Sequence, residues 1–281
     1  MYPIVRWRVP RGPLRDLCTL AVLTPSLWTA IGEWRLHALP FRGPAEPGEH
    51  ERLVIHWNVT PTPSARAWAG AMQSLPFHDP IDLLVITNPW HDRRWRDLPD
   101  WANLPRRHRA GRFAIYAKHP VRSLGWTTLR LEAPGRTDAS VDHGEAWTVQ
   151  VDHPDGVMTV LVIDLPANPA IHRGRIARDA RAVLDEARSQ SPALWPTPEL
   201  VVGDLNIPRD SHSIRVLFPG MTNAYRQGGV GHAGTWPART PALHLDHAMV
   251  APTLRARRYD IMKLPWSTHR AQRVVLNVPT E

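Results

Sequence analysis

The feature that most constrains this chain is a succession of short apolar runs, each too short for a helix and bounded by turn-forming residues. Leu53–Trp57 (LVIHW), Ile81–Thr87 (IDLLVIT), Arg112–Ala117 (RFAIYA), Ala146–Val151 (AWTVQV), Val157–Leu165 (VMTVLVIDL), Leu200–Asp204 (LVVGD), His244–Val250 and Arg273–Val278 all read as strands. From Glu51 onward only two stretches read as helices. One is Ser64–Leu75; the other is His172–Arg188, with Ile176, Ala180, Val183, Leu184 and Ala187 at helical spacing. So many strands with so few helices between them favour two stacked sheets flanked by helices over a simple doubly wound sheet. Twenty-nine prolines and 13 tryptophans point the same way, away from a helical bundle.

The first fifty residues differ from the rest. Arg6, Arg8, Arg11 and Arg15 precede an uncharged run from Leu17 to Gly32, broken by Pro25 and closed by Glu33. The run falls short of a comfortable membrane span and lacks a clean cleavage site, so a packed or surface helix is the first expectation and a membrane anchor the second. Residues 40–48 (PFRGPAEPG) read as a linker, which sets an expected boundary between a leader over 1–50 and one domain over 51–281. A cytoplasmic monomer is the expected state. Cys18 is the only cysteine, which excludes an internal disulfide and a cysteine-based zinc cage.

The formal charge is +8, and only Lys118 and Lys263 are lysines. An almost all-arginine basic set suits phosphate, because guanidinium forks match phosphate oxygens. An arginine-rich genome gives the same composition.

Chemistry-bearing residues fall at the strand ends. The run Leu200–Asp204 ends in Gly203-Asp204-Leu205-Asn206, where Gly203 is read as easing a turn and Asp204 and Asn206 project to one side. Asn58 closes the first strand, and Asn88 closes the second; both are also ordinary turn residues. Asp246 stands in His244-Leu245-Asp246-His247, where it and His247 also read as a core pair. His269 stands in Trp266-Ser267-Thr268-His269, just before the last strand. Trp236 and Trp266 read as packing or rim residues. His244 and His247 tempt a zinc reading, but a spacing of three in a strand points them to opposite faces.

The ordered set Trp57-Asn58, Gly203-Asp204-x-Asn206, Gly234-Thr235-Trp236, Asp246-His247 and Ser267-x-His269 resembles the endonuclease/exonuclease/phosphatase family, over roughly residue 51 to the C-terminus. The resemblance implies a four-layer α/β/β/α sandwich of the DNase I type and Mg²⁺- or Mn²⁺-assisted hydrolysis of a phosphate ester by direct attack of water. Asp204 would orient and deprotonate the water. Asn206 would donate to the phosphoryl oxygen. His269, held by Asp246, would stabilise the transition state or protonate the leaving group. Asn58, Asn88 and Asp204 would surround the metal. The substrate class stays open among nucleic acid, a phospholipid head group and a small phosphate ester.

The chain departs from that pattern at three positions. Asn88 stands where the family carries its principal metal-binding Glu, Thr268 replaces the Asp of Ser-Asp-His, and Asp164 replaces a histidine. Asp164 would restore one charge, and Asp92 or His91 lies just beyond Asn88. A catalytically impaired member that only binds a phosphate-bearing ligand is the alternative.

Overall fold

In a computed structural model, residues 51–59, 80–88, 104–130, 143–264 and 267–278 are described, with the backbone of Trp34 and Arg35. The expected helix over Ser64–Leu75, the linker, Asp92, His91 and Trp266 lie outside the described residues, as does the leader apart from β1 (Trp34–Arg35). That short strand pairs antiparallel with β11 (Gly231–His232).

Two mixed six-stranded sheets pack face to face. One has the order β10 (Thr222–Asn223), β12 (Asp246–Val250), β9 (Leu200–Asp204), β8 (Gly156–Asp164), β7 (Gly144–His153), β6 (Val121–Leu129). The other runs β13 (Arg255–Met262), β14 (Ala271–Asn277), β2 (Glu51–Asn58), β3 (Leu83–Thr87), β5 (Phe113–Ala117), β4 (Arg106–Ala110). Among the described strand pairs of these sheets, only β2–β3 and β8–β9 are parallel. The stacked-sheet expectation holds.

Side-chain alternation sorts each strand between layers. Val54, Leu83, Val85, Trp147, Val149, Val160, Val162, Leu200, Val202 and Ala248 fill the space between the sheets. Their neighbours Leu161, Ile163, Val201 and Met249 face outward onto Ile176, Ala177, Ala180 and Leu184 of α1 (Arg173–Gln190) and Ile214 and Leu217 of α2 (His212–Leu217). Helix α1 thus buries the stripe its spacing predicted. The outer face of the second sheet is buried as well, through Leu53, Ile55, Trp57, Leu84 and Ile86. No described helix is long and apolar enough to cross a membrane.

The expected strands are present, with ends displaced by one or two residues in most cases. Besides the two-residue strands β1, β10 and β11, three unexpected strands lack a continuous apolar run: β4, β6 and β13. Each lies at a sheet edge, where charged side chains face water and discourage further pairing. Two local expectations are corrected. Gly203 lies inside β9, not in a turn; a Cβ there would sit 1.7 Å from the Ile163 carbonyl oxygen, so the residue is needed for close approach of β8. The chain turns instead at Asn206, whose φ is 49°. His244 precedes β12 and does not oppose His247: their rings lie 4.8 Å apart.

Candidate active site

Alternation also builds the site. Glu145, Asp164, Asp204 and Asp246 share the inward parity of the core residues on β7, β8, β9 and β12, and they sit at the same end of four adjacent strands. The register pairs Glu145 with Asp164, Asp164 with Asp204, and Asp204 with Asp246. The result is a row of carboxylates across the mouth of the sandwich. Like charges directly opposite one another destabilise a sheet, so such a row marks a candidate functional site.

The facing sheet supplies the partners. Asn58, at the end of β2, donates through Nδ2 to Asp204 Oδ2 at 2.9 Å. Asn88 follows β3 with a φ of 55° and donates to Asn58 Oδ1 at 3.1 Å; the turn role and the site role coincide. His269 Nδ1 donates to Asp246 Oδ2 at 2.9 Å and lies 3.9 Å from Asp204 Oδ2. Ser267 fixes that loop, its hydroxyl donating to the Asn58 carbonyl at 2.6 Å while accepting from His269 N–H at 2.9 Å. Thr235 Oγ1 accepts the N–H groups of Leu245 and Asp246 at 3.0 and 3.2 Å, steadying the start of β12. Asn206 folds back so that its N–H reaches Asp204 Oδ1 at 2.9 Å and its side chain Leu165 O at 2.7 Å. Asn58, Asn88, Asp204, Asn206, Thr268 and His269 all line one cleft of about 630 Å³, and Trp236, 39% exposed, stands on its wall. Asp246 lies behind His269. All six residues singled out from sequence therefore converge.

The sequence left two groups without a role. Arg112, at the turn into β5, lines the same cleft and bridges two members of the row. Its guanidinium is 2.9 Å from Asp164 Oδ2 and 3.3 Å from Glu145 Oε1. Glu145 also accepts the Arg112 N–H at 2.9 Å and Trp126 Nε1–H at 3.2 Å. The signal available was Glu145 itself, a carboxylate at inward parity with Trp147, Val149 and Val151. With side chains only 4% and 10% exposed, Asp164 and Glu145 depend on that guanidinium. Arg112→Ala is expected to lower unfolding free energy in urea by about 3–5 kcal/mol, the usual cost of stranding a buried charge. A loss under ~1 kcal/mol would mean that water already screens the pair.

Burial and crowding set the protonation states. Burial raises the Asp204 carboxyl well above the usual range, and the Asp246 charge beside it adds to the shift. Burial also raises Asp164, to about 6, against the pull of Arg112. Asp246 goes the other way: burial alone would raise it, but His269 holds it below the usual range. For His269 burial opposes the charged form, yet Asp246, Asp204 and Asp164 together lift it to about 9. The imidazolium is thus the resting form at neutral pH.

Asp204, Asp246 and His269 offer ligand atoms within 4.8 Å of one another. The 2.9 Å contact between His269 and Asp246 is a hydrogen bond, so these two form a proton-bearing pair and Asp204 is left for a cation. With all four carboxylates ionised they face two cationic groups, Arg112 and His269, a formal excess of two negative charges. Oxygen donors and a double negative excess suit a hard divalent ion.

No family model and no curated protein matches the sequence. Solved structures do match in fold. An endonuclease/exonuclease/phosphatase family protein from Bacteroides thetaiotaomicron superposes with a TM-score of 0.61 at 12% identity, covering 84% of this chain and 100% of that one. The mannosyl-6-phosphatase of the same species gives 0.59 at 11% identity over 80% and 99% of the two chains. Danio rerio (D. rerio) TDP2, complexed with a single-strand DNA product, gives 0.57 at 16% identity over 81% and 99%.

Proposed function

We propose that this chain, which has the fold of the endonuclease/exonuclease/phosphatase proteins, hydrolyses a phosphate ester with the help of a divalent cation. The observation that carries the reading is the convergence of Asp204, Asn206, Asn58 and the Asp246–His269 pair on one cleft.

The oxygens of Asn58, Asn88 and Asp204 would be the donors for Mg²⁺ or Mn²⁺. Such an ion supplies Lewis-acid polarisation of the phosphoryl oxygen and relief of the crowded charge. Asp204 holds the attacking water and takes its proton; a carboxylate whose proton affinity is raised is better matched to that task at neutral pH. Asn206 has a second amide hydrogen beyond the one given to Leu165 O, free to donate to the phosphoryl oxygen as charge develops. Asp246 fixes Nδ1 of His269 as the donor, which leaves Nε2–H for the leaving-group oxygen. Arg112 adds a fixed positive charge on the cleft wall for a non-bridging phosphate oxygen. Asn88 and Thr268 replace two expected carboxylates, and the Glu145–Asp164 pair restores two charges but spends one on Arg112.

Hydrolysis of bis-p-nitrophenyl phosphate or plasmid DNA in Mg²⁺ or Mn²⁺ tests the reading. Turnover is expected with wild type and a fall of about 10²–10⁴-fold in kcat with His269→Ala. Binding of inorganic phosphate or DNA without metal-dependent turnover would instead make the chain an impaired member that binds phosphate-bearing ligands. Equal rates in wild type and His269→Ala would remove the mechanism.

A further inference from the structure

The other pole of the sandwich carries a second convergence of ligand atoms. Asp82 precedes β3, His119 lies in the β5–β6 connection, and His153 ends β7. Each offers an oxygen or nitrogen within 4.8 Å of the other two. Asp82 and His153 are 7% and 8% exposed, while His119 reaches the surface. The three come from both sheets, and they are separated from the cleft by the length of β3, with Asp82 just before its first residue and Asn88 just after its last.

We propose that Asp82, His119 and His153 form a binding site for a zinc-class transition-metal ion that clips the two sheets together at this pole. Asp82 uses Oδ2 to accept the Leu53 N–H at 2.7 Å. Its Oδ1 has no neighbour at hydrogen-bond distance: His119 Nε2 stands at 3.8 Å and Lys118 Nζ at 4.0 Å. The two imidazole rings lie 4.3 Å apart and tilted by 46°, a convergence that no hydrogen bond between them explains. His153 Nε2 is buried without any hydrogen-bond partner. An orphaned buried nitrogen is costly, and a coordinated ion is one of the few things that satisfies it.

Two imidazoles and one carboxylate are a zinc donor set, with the fourth position open to water or an added ligand. Bonds of about 2.0–2.1 Å in a tetrahedron bring donor atoms to about 3.3 Å of one another. A spacing of up to 4.8 Å needs closure of as much as about 1.5 Å, which rotation of a surface imidazole supplies. The local charge permits it, since Arg52 and Lys118 are opposed by Asp82, Asp155 and Glu199. A hard ion such as Mg²⁺ is disfavoured by the two nitrogens.

The full chain, freed of metal with EDTA and dialysed, is titrated with Co²⁺ and Zn²⁺ beside His119→Ala and His153→Gln. Co²⁺ reports low-coordinate geometry by its visible absorption, and Zn²⁺ competes it away. Wild type is expected to take up one equivalent with that spectrum and to melt higher with Zn²⁺ than with EDTA. His119→Ala, which alters a surface residue, should weaken binding at least tenfold and lose the Zn²⁺-dependent melting shift while keeping Mg²⁺-dependent hydrolysis. His153→Gln tests the buried ligand independently. Identical Co²⁺ spectra and affinities in wild type and His119→Ala, or no uptake by wild type, would overturn the site.

Discussion

Asp204→Asn is expected to lower kcat by about 10²–10⁴-fold and at the same time raise the melting temperature of the metal-free protein. The first effect follows if Asp204 is the base. The second follows from its surroundings. Burial and the adjacent Asp246 and Asp164 hold its folded-state pKa above the unfolded value, so ionised Asp204 opposes folding. For such a group the stabilising contribution is complete below the unfolded value and is lost as pH rises through the folded one. An amide removes that penalty at any pH above the ordinary carboxylate range. A gain of ~1 kcal/mol corresponds to about 2–4 °C for a chain of this size. Added Mg²⁺ should close the gap by stabilising wild type, since ligand binding to the folded state alone raises stability, and should do little for the variant. Thermal melts at pH 8 with and without Mg²⁺ check both parts. A lower melting temperature for the variant in metal-free buffer would mean that the Asn58 and Asn206 hydrogen bonds to Asp204 outweigh the crowding.

The core of this arrangement was legible because it depends on parity. Asp164, Asp204 and Asp246 sit two residues from buried valines or alanine, and period-two alternation carries the carboxylates to the inter-sheet end. Asn58 follows from the same rule on β2, two residues beyond His56 and four beyond Val54. Register was not legible. Nothing in the separate runs says that Glu145, Asp164, Asp204 and Asp246 stand abreast, because strand order is set by long-range pairing. That is why Arg112 reads in sequence only as the first residue of a strand and Glu145 carries no reading at all. The edge strands were missed for the opposite reason: β4 (RRHRA) and β13 (RARRYDIM) carry charge for solubility, which hides the apolar pattern a strand search uses. His244 and His247 misled through a boundary error, since β12 begins at Asp246 and His244 approaches from the loop.

The stability gap between wild type and His247→Gln is expected to shrink by about 3 kcal/mol between pH 7 and pH 4. His247 is held neutral in the core, donating from Nε2 to Ile207 O at 2.8 Å and accepting at Nδ1 from Asn223 at 2.9 Å. Burial lowers its pKa to about 4. The unfolded chain takes up this proton below about 6.5, whereas the fold resists until about 4. The contribution is therefore complete above 6.5 and is lost as pH falls through 4, at about 1.4 kcal/mol per pH unit. The whole-protein curve does not isolate this, because Asp164, raised to about 6, gains stability over the same interval while His56 and His153, lowered to about 4 and about 3, lose it. Subtracting the variant removes that opposing contribution, which is common to both proteins. Glutamine retains a donor for Ile207 O but has no titrating group. It should cost stability at pH 7 through lost packing and the Asn223 contact, and cost progressively less as the pH falls. Urea unfolding at half-unit intervals from pH 7 to 4 measures the gap. A constant difference would show that His247 titrates alike in the folded and unfolded chains.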